Sequence, residues 1–407
     1  MENKNIAKAG NIGPKVRSDC HVELELLSNG GIQLDIKSKV GTLYGKSIEE
    51  LVHQVLKFYE IEHARIELID RGALPWVITA RIEAAIKQLK DTDKEFLPEM
   101  IEEAKYATKK ERFRFSRLYL PGNSPSMFLN AGLHEPDGVI LDLEDAVAPA
   151  KKNEARLLVR NALRACNFYG CERMVRINQG DRGIEDLKHV VPHNLHILLI
   201  PKLEDAAYIK EVENEVDRIC KEKNIENNIY FMPIIESALG VEMAFEIAKS
   251  SDKIIALAIG LEDFTADLGV KRTNEAHESL YARTRLVNAC HAAKIQAIDS
   301  VFSDVSDMEA LYKNVKTSKG LGFIGMGCIH PRQVPVIKKG FAPEADEIEK
   351  AKKIVFAAHE AEKKGLGVVA LGSKMIDPPV VKRHMKNIEL ALKLGLLEQG
   401  WEEQMNE

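Results

Sequence analysis

The chain predicts a (β/α)8 TIM barrel preceded by a small α+β domain, and three observations predict it. Between residues 115 and 340, eight short apolar runs alternate with charged stretches of helical period. Runs that are apolar throughout are the mark of strands buried on both faces in a parallel sheet. Residues 1–90 follow a different rhythm, with alternating strands and two amphipathic helical stretches. Residues 91–114, DTDKEFLPEMIEEAKYATKKERFR, are highly charged with little core-forming content and read as a partly helical linker. A doubly wound open sheet is the alternative for such an alternation, but no G-x-G-x-x-G follows the first barrel strand.

The N-terminal domain opens on HVELELLSNGGIQLDI, residues 21–36. Val22, Leu24 and Leu26 share one face; Ile32, Leu34 and Ile36 share a face of the next run. Asn29-Gly30-Gly31 between them supplies positive-φ positions and predicts a hairpin. Residues 47–60 carry apolar side chains at helical spacing, with Ser47 as expected N-cap and Glu50 three residues on. Residues 64–70, ARIELID, are a third strand. Residues 75–90 begin with a proline suited to a first helical turn and continue as an amphipathic helix.

The barrel strands are expected at 117–122, 138–145, 173–178, 196–202, 229–236, 253–263, 294–299 and 322–329. Helical stretches such as 151–166 and 240–250 lie between them. Residues 341–407 form a helical extension, with helices over 342–366 and 380–396 whose exposed faces carry both charge signs.

Composition narrows the function classes. A net charge of −5 gives no basic footprint for nucleic acid. No apolar stretch reaches the roughly 18 residues of a membrane helix, and residues 1–19 lack the apolar core of a signal peptide. The six cysteines form no C-x-x-C pair, which predicts reduced thiols in a cytoplasmic protein.

The strand ends hold the candidate chemistry. They present Pro121-Gly122, Glu144-Asp145, Arg176 with Asn178, Lys202, Glu236, Asp263, Asp299 and His330. In a barrel these positions converge on one mouth. Each has a structural reading beside the functional one: a carboxylate after a strand often caps a helix, and a histidine before proline is often simply packed. Glu236 and Asp263, on the fifth and sixth strands, stand out because each ends an almost wholly apolar run. Two hard oxygen ligands from neighbouring strands are what a magnesium ion takes from a protein.

Seven motifs then follow in the order seen in a known family: RLYLPGN, VILDLEDAVAPAKKNEAR, MVRIN, PIIESALG, IGLEDFTADLG, GMGCIHPRQV and GSKMIDPPVVKR. Over residues 115–390 the chain resembles the citrate lyase beta subunit and its relatives in the HpcH/HpaI aldolase superfamily, which include malyl-CoA and citramalyl-CoA lyases. The N-terminal domain resembles the acyl carrier (gamma) subunit of citrate lyase, on Ala9-Gly10, RSD at 17–19, the alternating run and IDRGALPWVITARIEAA at 69–85. That family attaches a phosphoribosyl-dephospho-CoA arm to a serine just before an aspartate, and Ser18 is the matching position. Here Ser18 and Asp19 are adjacent, whereas the family usually places one residue between them.

The resemblance implies roles. Glu236 and Asp263 bind Mg2+; Arg176 binds the substrate carboxylate. Glu144 and Asp145 hold metal-bound waters or Arg176, with helix capping as the alternative. Asp377 is the acid/base residue, delivered by the C-terminal segment to the mouth of a neighbouring subunit. The implied activity is retro-Claisen cleavage of a 3-hydroxy acyl thioester, citryl-carrier giving oxaloacetate and acetyl-carrier. The alternatives are a malyl-CoA or citramalyl-CoA lyase acting on free CoA thioesters and a non-catalytic carrier or scaffold subunit. The implied partners are an acyl thioester substrate, copies of the same chain in a homo-oligomer with trimeric precedent, and a citrate lyase alpha subunit, with no nucleic acid or membrane.

Overall fold

The computed structural model describes residues 5–363, 369–371 and 374–403. It divides into two compact units, Met1–Ile337 and Lys338–Glu407.

The first unit begins with a four-stranded sheet. Its strands are β1 (Ile6–Ala9), β2 (Cys20–Leu26), β3 (Ile32–Ser38) and β4 (Ala64–Asp70), and helices α1 (Gly41–Phe58) and α2 (Pro75–Leu89) accompany them. The order is β1-β2-β4-β3, so the expected hairpin does not form. β4 lies between its two arms, antiparallel to β2 and parallel to β3. The burial pattern gives the reason. Every second residue of β4 is buried, from Ala64 to Asp70, whereas β3 has no fully buried residue and takes an edge. Gly30 and Gly31 still adopt positive φ, but they turn the chain over the sheet end rather than pair the flanking strands. The helix expected to start at Ser47 begins six residues earlier, at Gly41. Ser47 is therefore interior, and its hydroxyl donates to the Tyr44 carbonyl at 2.9 Å.

The barrel strands are β5 (Ser116–Pro121), β6 (Gly138–Asp142), β7 (Glu172–Arg176), β8 (Ile197–Ile200), β9 (Tyr230–Ile235), β10 (Ala256–Ile259), β11 (Gln296–Asp299) and β12 (Gly325–Cys328). They run parallel, and β12 pairs with β5 to close the ring. The helices after them are α3 (Pro125–Phe128), α4 (Lys152–Ala165), α5 (Gly180–Val190), α6 (Ala206–Lys223), α7 (Ala238–Lys249), α8 (Leu261–Asp267), α9 (Leu280–Ala293), α10 (Met308–Leu321) and α11 (Gln333–Phe341). Ile140, Met174, Ile197, Leu199, Met232, Ile234 and Ile298 form the centre of the core. One expected strand end moves. β10 stops at Ile259, so Asp263 lies in the first turn of α8 instead of at the tip of a strand.

The N-terminal sheet is joined to the barrel through buried polar contacts. α2 is buried from Trp76 to Ile86 without interruption. Arg160 of α4 donates to both carboxylate oxygens of Glu83, at 2.8 and 2.7 Å, and to Glu95 at 2.9 Å. Asn161 donates to the Trp76 carbonyl, and the Gly10 amide donates to Glu154. Residues 91–114 contain a single 3-10 turn, Glu102–Ala104, rather than substantial helix. They form a strap along the barrel. The Tyr106 ring lies 4.3 Å from the Arg173 guanidinium, and Arg114 grips Glu172 with two hydrogen bonds at 2.7 and 2.8 Å. The charge of Arg114, in a segment expected to be a linker, is thus buried against the barrel.

The second unit contains α12 (Ala345–Lys363), the antiparallel strands β13 (Val369–Leu371) and β14 (Lys374–Ile376), and α13 (Pro378–Lys393). Ala351, Val355, Ile388 and Trp401 form its core. Residues 364–366 of the expected helix, and Gly372-Ser373 of the last motif, lie outside the described residues. All six cysteines are free thiols, five of them buried. Among the described residues, no helix is long and apolar enough to cross a membrane.

Candidate active site

Parallel register builds the mouth. β6 and β7 align Asp142 with Arg176, so the last residues of two strands stand side by side. Arg176 Nε and Nη2 donate to the two Asp142 oxygens at 2.7 and 2.6 Å. Its Nη1 lies 2.8 Å from Glu144 and 3.6 Å from Asp145. Burial opposes its charge, but the hydrogen-bonded Asp142 holds the pKa well above the ordinary arginine value. Of the five N–H donors of a guanidinium, Asp142 takes two, while Glu144 meets Nη1 as an ion pair without a hydrogen bond, so three remain for a ligand. Asp142 also accepts from the Glu144 and Ala146 amides, fixing the turn that presents Glu144 and Asp145.

Lys202 follows β8 in a left-handed conformation, φ 49°. Its ammonium lies 3.7 Å from Glu144, 3.9 Å from Asp145 and 3.6 Å from Asp263. Burial opposes this charge, and the three carboxylates together hold the pKa above its usual value. The Lys202 amide donates to Glu236 at 2.8 Å. Glu236 is only 4% exposed. Burial, and then the charge of Asp263, push its pKa up to about 8. Gly260 makes room for it: a Cβ there would lie 2.4 Å from Glu236 Oε2.

These groups surround a cavity of about 370 Å³, lined by Asp142, Asp145, Arg176, Glu236 and Asp263 at its rim. Five carboxylates thus crowd two cations, Arg176 and Lys202. Among the described residues, no group of three or more His, Cys, Asp or Glu side chains is arranged to enclose a metal. Glu236 and Asp263 could supply two oxygen ligands and leave the remaining positions to water and substrate, as magnesium sites commonly do. The raised pKa of Glu236 fits such an ion, since a divalent cation between the two would relieve their repulsion.

Three of the expected mouth residues are engaged elsewhere. Asn178 donates to Asp186 and accepts from Lys152. Asp299 lines the cavity, but its carboxylate is held by Arg283 and Ser318. His330 is half-buried and accepts from the Arg332 amide. Gly122 lies so close to the Asp142 carbonyl that a Cβ would come within 2.4 Å of it. Asp377 caps α13, accepting from the Val380 amide, and is exposed in the second unit. Asp142 itself was not among the expected site residues. The signal was present: Asp142 lies two positions after Ile140, so it faces the barrel interior.

Ser18 is half-exposed at φ 52°, and its amide donates to the Arg71 carbonyl. Asp19 beside it is buried and held by Arg81 at 3.0 and 2.9 Å. Asn11 donates to both Asp19 and the Asn123 carbonyl, and Arg81 also donates to Asn123. Asn123 follows the C-terminal end of β5, so the Ser18 loop is pinned to the mouth end of the barrel. A cleft of about 530 Å³ lies between this loop and residues 123–126.

Two family profiles match. HpcH/HpaI aldolase/citrate lyase covers residues 116–331, and the malonate decarboxylase delta subunit, an acyl-carrier family, covers residues 6–89. The citrate lyase subunit beta of Leuconostoc mesenteroides subsp. cremoris is 38% identical over 69% of this chain and 94% of that protein. The human mitochondrial citramalyl-CoA lyase is 29% identical over 68% of this chain and 85% of that protein. Among solved structures, protein CitE from Mycobacterium tuberculosis, in complex with magnesium, acetoacetate and coenzyme A, aligns with TM-score 0.56 and 27% identity. It covers 70% of this chain and 99% of that one. The chain therefore belongs to the HpcH/HpaI aldolase/citrate lyase family of carbon–carbon lyases, with an acyl-carrier-like domain ahead of its barrel.

Proposed function

We propose that the protein cleaves a citryl thioester to oxaloacetate and an acetyl thioester, with the acyl group carried on a phosphoribosyl-dephospho-CoA arm at Ser18. One observation carries this reading. The Ser18 loop is pinned through Asn11 and Arg81 to Asn123, at the same end of the barrel as Arg176 and Glu236. An arm leaving Ser18 starts beside the mouth, and the carrier domain need not travel.

Glu236 and Asp263 would hold Mg2+, which supplies Lewis-acid stabilisation of oxygen charge. Arg176 orients the carboxylate on the carbinol carbon with N–H groups that Asp142 does not take, while the two hydrogen bonds to Asp142 keep the guanidinium plane fixed and the charge of Glu144 supports it. As the hydroxyl proton passes to the Asp377 carboxylate of a second copy of the chain, the bond between the carbinol carbon and the thioester α-carbon breaks. Its electron pair passes to the thioester as an enolate, and the former carbinol carbon becomes the keto group. Asp377, from a second copy of the chain in a trimeric assembly, protonates the enolate carbon. A citrate lyase alpha subunit would then reload the arm.

A second reading is favoured by the adjacency of Ser18 and Asp19 and by the citramalyl-CoA relatives. In it the carrier domain is unmodified and the barrel acts on free CoA thioesters. A substrate panel separates the two: citryl-carrier, citryl-CoA, citramalyl-CoA and malyl-CoA, each with and without EDTA, alongside intact mass of protein from its native host. The proposal expects a modified Ser18 and metal-dependent citryl cleavage. An unmodified Ser18 with rapid cleavage of free CoA substrates would overturn it. Cleavage of none of them would leave a scaffold.

A further inference from the structure

The floor of the mouth cavity is a buried cation with no counter-ion among the described residues. Arg117 lies on β5 two residues before Tyr119, so both face the barrel interior. It is 1% exposed. The other fully buried arginines are answered. Arg81 meets Asp19, Arg114 meets Glu172, Arg160 meets Glu83 and Arg283 meets Asp299. Arg173 donates to the Asn194 and Tyr106 carbonyls. Among the described residues Arg117 has a single hydrogen bond, from Nη1 to the Met232 thioether sulfur at 2.7 Å, and its Nε has no partner. A thioether is a weak acceptor. A buried guanidinium left in this way is costly unless something charged comes to meet it.

The cavity reaches this group. Below the rim it is lined by Arg117, Tyr119, Ile234, Ala258 and Gly327. The small residues leave the space open. A Cβ at Gly327 would press to 2.8 Å from Val301 and 3.1 Å from Tyr119. Burial brings the Arg117 pKa down to about 10, which keeps it charged at neutral pH. Two guanidiniums therefore stand at two depths, Arg176 at the rim with carboxylates around it and Arg117 at the floor with none.

We propose that Arg117 receives a second carboxylate of the substrate, so that the site selects acyl groups whose carbinol carbon bears an acidic arm. Citryl has such an arm, whereas citramalyl has a methyl group there and malyl a hydrogen. This deepens the lyase reading and rests on it for the substrate; the anion site at the floor stands on the geometry of Arg117 alone.

The test compares two keto acids that differ in this carboxylate, oxaloacetate and pyruvate, binding to the full chain with Mg2+ by calorimetry. Wild type is expected to prefer oxaloacetate by about tenfold to a hundredfold, the range of a charge-assisted hydrogen bond. Arg117→Met is expected to bring the two to near parity and to melt no lower than wild type, because it removes an unpaired buried charge. Arg117→Lys keeps the charge without the fork and should retain part of the preference. It also serves if the methionine variant does not fold. An unchanged preference in both variants, or none in wild type, would overturn the proposal. If oxaloacetate is preferred through Arg117 while no thioester is cleaved, the lyase reading fails and the floor site remains.

Discussion

Glu236→Gln removes a strongly perturbed carboxyl group of the mouth, and its effect on stability is opposite to that of losing an ordinary ion-paired carboxylate. In the fold, burial and Asp263 raise the Glu236 pKa from 4.5 to about 8. The protonated form is therefore the one the metal-free fold favours, and its contribution is fully present below about pH 4.5. As pH rises from 4.5 to about 8 the unfolded chain gives up its proton and the folded chain keeps it, so stability falls across that window. Moving the pKa from 4.5 to about 8 corresponds to about 5 kcal/mol, at about 1.36 kcal/mol per pH unit. Thermal unfolding in EDTA at about pH 5 and about pH 9 measures it, with Glu236→Gln as reference because the amide carries no titrating proton. Wild type should lose several degrees of Tm relative to the variant. Mg2+ should reverse the loss, since metal binding expels the same proton, and its affinity should rise about tenfold per pH unit until about pH 8. Parallel curves for wild type and variant, or magnesium affinity that is flat across neutral pH, would refute the reasoning.

Two further substitutions probe how the fold holds the site. Gly260→Ala places a methyl 2.4 Å from Glu236 Oε2 and must displace that carboxylate. Metal-dependent activity should fall by about a hundredfold while circular dichroism stays unchanged, since small misplacements at a reacting centre are that costly. Arg160→Met strips Glu83 and Glu95 of their partner. Breaking a buried pair from one side should cost about 3–5 kcal/mol by chemical denaturation, and adding Glu83→Met should recover much of it.

The barrel was legible because buried parallel strands write themselves as unbroken apolar runs. Where a run continued past its strand, the boundary was lost. Leu261 prolongs the apolar stretch of β10, which made Asp263 read as a strand tip although it sits on α8. The hairpin failed for another reason. Alternation says that a segment is a strand but not which strand it meets, and β4 arrives from residue 64 to part β2 from β3. Asp142 was hidden inside an apolar run, and Arg117 at the start of another, because one charge in sequence does not say which way its side chain faces. The linker reading of residues 91–114 fell short in the same way: Arg114, in a segment with little core-forming content, is buried on Glu172.

Taken alone, the sequence determines the repeating strands and helices, the motifs of the family and the set of acids and bases that follow the strands, because all of these are written in short, contiguous stretches. Tertiary structure alone decides which of those groups meet. Arg160 finds Glu83 across 77 residues and the Gly10 amide finds Glu154 across 144, which fixes the carrier-like domain on the barrel. Ring closure brings Met232 of β9 to Arg117 of β5 and leaves that guanidinium without a counter-charge among the described residues. Burial and partnership are properties of folded neighbours rather than of neighbours along the chain, and they turn a list of polar residues into a site.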